Sequence, residues 1–125
     1  MWSVQVLDEV EEWYLDLAKH DPDAADAVEA AIDLLESEGP TLGRPLVDRL
    51  KGAAHHNMKE LRPRSTNIRI LFVFDPERQA VLLVGGDKTG NWKEWYRTNI
   101  PVAERRYRLY LQEEDHGEAV ARGSR

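Results

Sequence analysis

The residues best suited to chemistry are cations set among aromatic side chains in the second half of the chain. In MKELRP, strand alternation puts Lys59 and Leu61 on one face and Glu60 and Arg62 on the other. Arg69 follows within the apolar run IRILFVFDP, where a cation is costly to bury unless it reaches a partner or an open surface. An ion pair with Glu60 is the structural reading of Arg69. Lys88 closes the next apolar run, and Trp92, Trp95 and Tyr96 come directly after it. Cations hold phosphates and aromatic rings stack on bases, so Lys59, Arg62, Arg69 and Lys88 beside Trp92 or Tyr96 suit single-stranded RNA. Trp95 reads as core.

Other chemistries find less support. GGDKTG contains Lys-Thr, but a phosphate-binding P-loop needs glycine directly before the lysine, and Asp87 stands there. No G-x-G-x-x-G follows a strand. His55 and His56 are adjacent, so on a strand their rings point to opposite faces; one of them remains a candidate acid or base, since imidazole titrates near neutrality. With no cysteine and no further histidine nearby, neither a metal site nor a thiol nucleophile is expected. The four serines lie in no nucleophile-elbow context.

A net charge of −6 argues against a nucleic-acid partner until its distribution is considered. Residues 1–43 hold twelve acids and one base, whereas residues 44–112 hold fourteen Lys and Arg against seven acids. Polyanions respond to local potential, so one basic face is compatible with an acidic total. No apolar run reaches the roughly 18 residues of a membrane span, and no basic-then-apolar leader opens the chain. A cytoplasmic protein is expected.

The elements that must position these residues follow from periodicity. Trp2, Val4 and Val6 alternate as in a strand; Val10, Trp13, Tyr14, Leu17 and Ala18 form a helical stripe. Asp21-Pro22 ends that helix and starts a second, carrying Ala25, Val28, Ala31, Ile32 and Leu35, which Gly39-Pro40 stops. After a loop over 39–45, MKELRP, IRILFVFDP and QAVLLVGG read as three strands linked by proline turns. A last helix is expected to open near Pro101, with Ala103, Tyr107, Tyr110 and Leu111 on one side. Residues 115–125 lack any apolar period and read as a disordered tail on a single domain spanning 1–114. The order is β-α-α-β-β-β-α: an α+β fold, a small mostly antiparallel sheet with two N-terminal helices on one face and a C-terminal helix.

KELR, IRILFVFD, VLLVGGDKTGNWKEWY and the terminal helix with Tyr107 and Tyr110 together resemble the HigB-like branch of the RelE/ParE toxin superfamily, over residues 2–112. The resemblance implies a metal-independent, cofactor-free endoribonuclease that cuts mRNA on the ribosome by attack of the RNA's own 2′-hydroxyl. It also implies a cognate helix-turn-helix antitoxin as partner. Under that implication Lys59 and Arg62 hold the scissile phosphate, Arg69 neutralises developing charge, and Lys88 contacts RNA or helps protonate the leaving oxygen. Trp92 or Tyr96 stacks on a base or completes the acid/base set. Lys59 with a depressed pKa, or His55 or His56, is the candidate base. Two readings compete: a ParE-like toxin that inhibits DNA gyrase without a nuclease site, and an inactive phage-derived binding module.

Overall fold

The computed structural model describes residues 2–54 and 57–121, with side chains to residue 113. Strand β1 (Ser3–Val6) leads into helices α1 (Asp8–His20) and α2 (Pro22–Glu38), then a 3-10 turn at Gly39–Thr41. Strands β2 (Val47–Arg49), β3 (Met58–Leu61), β4 (Ile68–Asp75) and β5 (Gln79–Asp87) follow, and α3 (Trp92–Ala121) closes the chain. The sheet order is β1-β5-β4-β3-β2. Only β1 runs parallel to its neighbour; the other pairs are antiparallel.

One residue separates α1 from α2. Asp21 gives its own N–H to the Leu17 carbonyl at 2.7 Å, and its side chain accepts from the Ala24 N–H at 3.2 Å. Pro22 follows at the first helical position, where a missing N–H costs nothing. The resulting hairpin buries Val10, Val28, Ala31 and Leu35 against Leu61, Ile70, Phe72 and Leu82 on one face of the sheet. On the other face Leu71, Val73, Val81 and Leu83 meet Ile100, Ala103 and Tyr107 of α3. Covered on both sides, β4 and β5 need apolar residues at successive positions, which explains their unbroken hydrophobic runs.

Gly85 and Gly86 each lie directly against an indole. A Cβ on Gly85 would collide with the Trp13 ring from α1, and one on Gly86 would lie 2.6 Å from Nε1 of Trp95 on α3. The two indoles thus press on adjacent residues of β5 from opposite sides.

The structure departs from the sequence expectation in three places. A fifth strand, β2, pairs with β3 at the sheet edge; its three residues, VDR, are too few and too polar to show a period. Helix α3 begins nine residues before Pro101. Asn91 caps it, its Oδ1 accepting from the Glu94 N–H at 3.2 Å, and Pro101 lies inside the helix on its exposed side. Proline at a first-turn position was a reasonable start signal, but the Asn cap with Gly90 before it outweighs that. Finally, α3 runs on through Ala121, beyond residue 115, while residues 122–125 lie outside the described residues. No helix among the described residues is long and apolar enough to cross a membrane.

Candidate active site

Strand β3 pairs with β2 in a register that sets Asp48 opposite Glu60. Both carboxylates share one face, and like charges directly opposed on a sheet repel. Arg62, two residues after Glu60, resolves the conflict. Its Nη2 donates to Oε2 of Glu60 at 2.7 Å and to Oδ2 of Asp48 at 3.3 Å, while its Nε reaches Oε2 of Glu60 at 3.2 Å. Arg44 holds the other oxygen of Asp48, Nε to Oδ1 at 3.1 Å. Among the described residues, Nη1 of Arg62 has no hydrogen-bond partner.

Glu60 is the hub. Its side chain is only 6 % exposed, so every lone pair must find a donor within the protein or a ligand. The Tyr96 hydroxyl, from the second turn of α3, donates to Oε1 at 2.5 Å. Arg69, on β4, stands 3.8 Å from the same oxygen through Nε. That is an ion-pair distance, too long for a hydrogen bond. Arg69 spends Nη1 on the Ile68 carbonyl at 2.8 Å, and its buried Nε has no hydrogen-bond partner. Two guanidinium groups therefore reach this point with donors unused.

The aromatic side chains form the adjoining wall. Tyr96 meets Trp95 edge-on at 5.2 Å and Trp92 at 6.4 Å between ring centroids. Trp92 is 53 % exposed, with the Lys88 and Lys93 ammonium groups 5.9 and 5.6 Å from its ring centre. These groups border an open cleft of about 650 Å³ whose lining holds seven Lys and Arg against the carboxylates Asp48 and Glu60. The cleft thus offers a strongly positive surface although the chain is acidic.

The protonation of the cluster follows from its contacts. Burial, then the hydrogen bond to Glu60, pushes the Tyr96 hydroxyl up to about 12 despite the opposing pull of Arg69, so it is a neutral donor at physiological pH. The hydrogen bond to Glu60 raises the Arg62 guanidinium above its ordinary value. The Arg49 N–H and Arg44 hold the Asp48 carboxyl below its ordinary value.

Of the residues expected from the sequence, Arg62, Arg69, Lys88, Trp92 and Tyr96 converge on the cleft. Lys59 does not. Strand alternation turns it to the opposite face, beside Phe72 in the core under α1 and α2, and it takes no part in the lining. His55 and His56 lie outside the described residues. Trp95 packs on Gly86, as a core residue does. Sequence reasoning missed the centrality of Glu60, although its alternation with Arg62 and the buried Arg69 nearby were both visible. Asp48, Arg44 and Lys93 were missed as well, the first two because β2 itself was. Among the described residues no group of three or more His, Asp or Glu is arranged to hold a metal ion.

Comparison with known proteins adds the family. Residues 15–108 match the model of the family described as phage-derived protein Gp49-like (DUF891). The chain is 56 % identical over 115 residues to the "Putative toxin HigB3" of Mycobacterium tuberculosis (strain ATCC 25618 / H37Rv), covering 92 % of this chain and 98 % of that protein. It is 49 % identical over 94 residues to the "Putative toxin HigB2" of the same organism, covering 73 % of this chain and 47 % of that protein. Among solved structures, the YoeB dimer from Staphylococcus aureus shares the fold at a TM-score of 0.54 and 12 % identity, over 65 % of this chain and 90 % of that one. A free-state mutant of the E. coli toxin RelE does so at 0.54 and 10 %, over 73 % and 87 %.

Proposed function

The chain belongs to the Gp49-like family, in the HigB-type branch of the RelE/ParE toxins, and from that premise we propose that it is the toxin of a toxin–antitoxin pair and cleaves messenger RNA on the ribosome. The observation that supports the nuclease is the convergence of Glu60, Arg62, Arg69 and Tyr96 in one basic cleft with an exposed indole at its rim.

The reaction needs no water. The RNA 2′-hydroxyl gives its proton to the Glu60 carboxylate, and its oxygen forms the new bond to phosphorus. The bond from phosphorus to the 5′-oxygen of the next nucleotide breaks, and that oxygen leaves with a proton from the Lys88 ammonium. The products are a 2′,3′-cyclic phosphate and a 5′-hydroxyl end; Glu60 and Lys88 then return to their starting states by exchange with solvent. Between the two steps the phosphorane carries one more negative charge than the substrate. The open Nη1 of Arg62 and the Arg69 guanidinium stand in the cleft that would hold that charge, and pre-placed donors of this kind contribute about 2.7–4 kcal/mol each. Trp92 stacks on a base, with Lys93 beside it for the flanking phosphate. Lys59 has no role in this scheme. A helix-turn-helix antitoxin is the partner that restrains the toxin, and the cytoplasm is where ribosomes meet it.

The test is a reconstituted translation system in which mRNA ends are mapped by primer extension, with Glu60→Gln and Arg69→Ala beside the unaltered protein. Cuts in translated mRNA that vanish in both variants are expected. Folded protein that makes no cuts moves the reading to gyrase inhibition, which a gyrase cleavage assay then decides.

A further inference from the structure

Resting on the reading of Glu60 as the proton acceptor, we infer that Asp48 is a positioning residue that keeps Arg62 aimed at the phosphate while Glu60 is protonated. In the free protein Arg62 has two anionic anchors, Glu60 through Nε and Nη2 and Asp48 through Nη2. Its remaining nitrogen, Nη1, is the one left open among the described residues. Once Glu60 takes the 2′-hydroxyl proton it becomes neutral, and its hydrogen bonds to a guanidinium lose their charge assistance. That moment coincides with the greatest charge on phosphorus, when a loosened Arg62 costs most.

Asp48 is built to hold at that moment. It comes from a different strand, is tied down by the Arg49 N–H at 2.8 Å and by Arg44 at 3.1 Å, and keeps its charge because those donors favour the ionised form. The cross-strand register that sets it opposite Glu60 would otherwise be unfavourable, with two carboxylates facing each other. A shared arginine that must stay in place while one carboxylate changes charge accounts for the pair.

The charge of Asp48 also opposes the binding of RNA. Asp48→Asn therefore has two effects of opposite sense. In ribosome-programmed cleavage its kcat is expected to fall at least tenfold while KM does not rise. Its affinity for an RNA strand carrying a single 2′-deoxy nucleotide at the cut site is expected to equal or exceed that of the unaltered protein. In an Arg62→Ala background, Asp48→Asn should add no further loss of kcat. An unchanged kcat, a KM that rises in step with falling kcat, or an additive loss on Arg62→Ala overturns the inference while leaving the nuclease reading intact.

A second measurement does not depend on activity. Glu60→Gln imitates the neutral state of the acceptor, and the side-chain NMR signals of Arg62 report whether its guanidinium still turns slowly. Separate Nη signals are expected in Glu60→Gln and their collapse in Glu60→Gln/Asp48→Asn. Collapse already in Glu60→Gln shows that Asp48 does not hold Arg62.

Discussion

The Tyr96 hydroxyl donates to the Glu60 carboxylate at 2.5 Å and so ties the start of α3 to the middle of β3. A hydrogen bond to a charged acceptor contributes about 1.5–3 kcal/mol. Tyr96→Phe keeps the ring contacts and removes only this bond. It is expected to lower the unfolding free energy by about 1–3 kcal/mol in urea titration. Cleavage should slow by about tenfold to a hundredfold, the rate equivalent of such a bond.

Alkaline titration gives a second check. The hydroxyl of Tyr96 is pushed up to about 12, chiefly by burial and then by Glu60, from an ordinary value near 10. A group with a raised folded pKa stabilises the fold fully below its unfolded pKa and loses that contribution as pH climbs through the folded one. The Tyr96 contribution is therefore present at neutrality and disappears between pH 10 and about 12. The Tyr14 and Tyr107 hydroxyls are raised as well, by burial first, so the phenolate absorbance near 295 nm should lose in Tyr96→Phe only the component that titrates at about 12.

Arg69 and Lys59 separate the two faces of the sheet. Arg69→Ala removes an unused donor from the cleft and is expected to lower kcat by about a hundredfold to a thousandfold. Lys59→Ala changes a half-buried side chain that stands outside the cleft lining and should leave cleavage within about twofold, roughly 0.4 kcal/mol in barrier height. Equal losses in single-turnover cleavage would show that the division of faces does not govern activity.

The glycine pair of β5 is tested by size. Gly86→Ala puts a Cβ within 2.6 Å of Trp95 and is expected to cost about 1–3 kcal/mol, the usual penalty of overpacking. Trp95→Leu in the same chain opens space and should recover part of that loss in thermal unfolding. A Gly86→Ala protein as stable as the original contradicts the close approach.

Much of the fold can be read from periodicity because β4 and β5 are buried on both faces and the helices on one. Leu71 and Val73 serve one core while Ile70 and Phe72 serve the other, which leaves an unmistakable apolar run. Strand β2 has no such signature, since Asp48 and Arg49 are polar and it owes its existence to pairing with β3. The cations of the site were legible as types, and Glu60 was visible beside them. What alternation alone could not supply was convergence: that Asp48 from an unseen strand and Tyr96 from an early-starting helix meet the same carboxylate system. Lys59 illustrates the converse. Glu60 beside it and Arg62 beyond are site residues, yet a single step along a strand carries Lys59 through the sheet.

The acidic hairpin α1–α2 covers one face of the sheet and the basic cleft opens beside α3 on the other, so the molecule is a dipole with a net negative charge. Far from a polyanion, beyond the roughly 8 Å over which salt lets charges be felt, neither property acts. Closer in, the net charge slows approach while the dipole applies a torque that turns the cleft forward. Collisions that arrive helix-first are repelled instead of lingering as unproductive complexes. Such a protein trades frequency of encounter for orientation, and its association rate should depend on ionic strength less steeply than that of a uniformly basic nuclease with the same cleft.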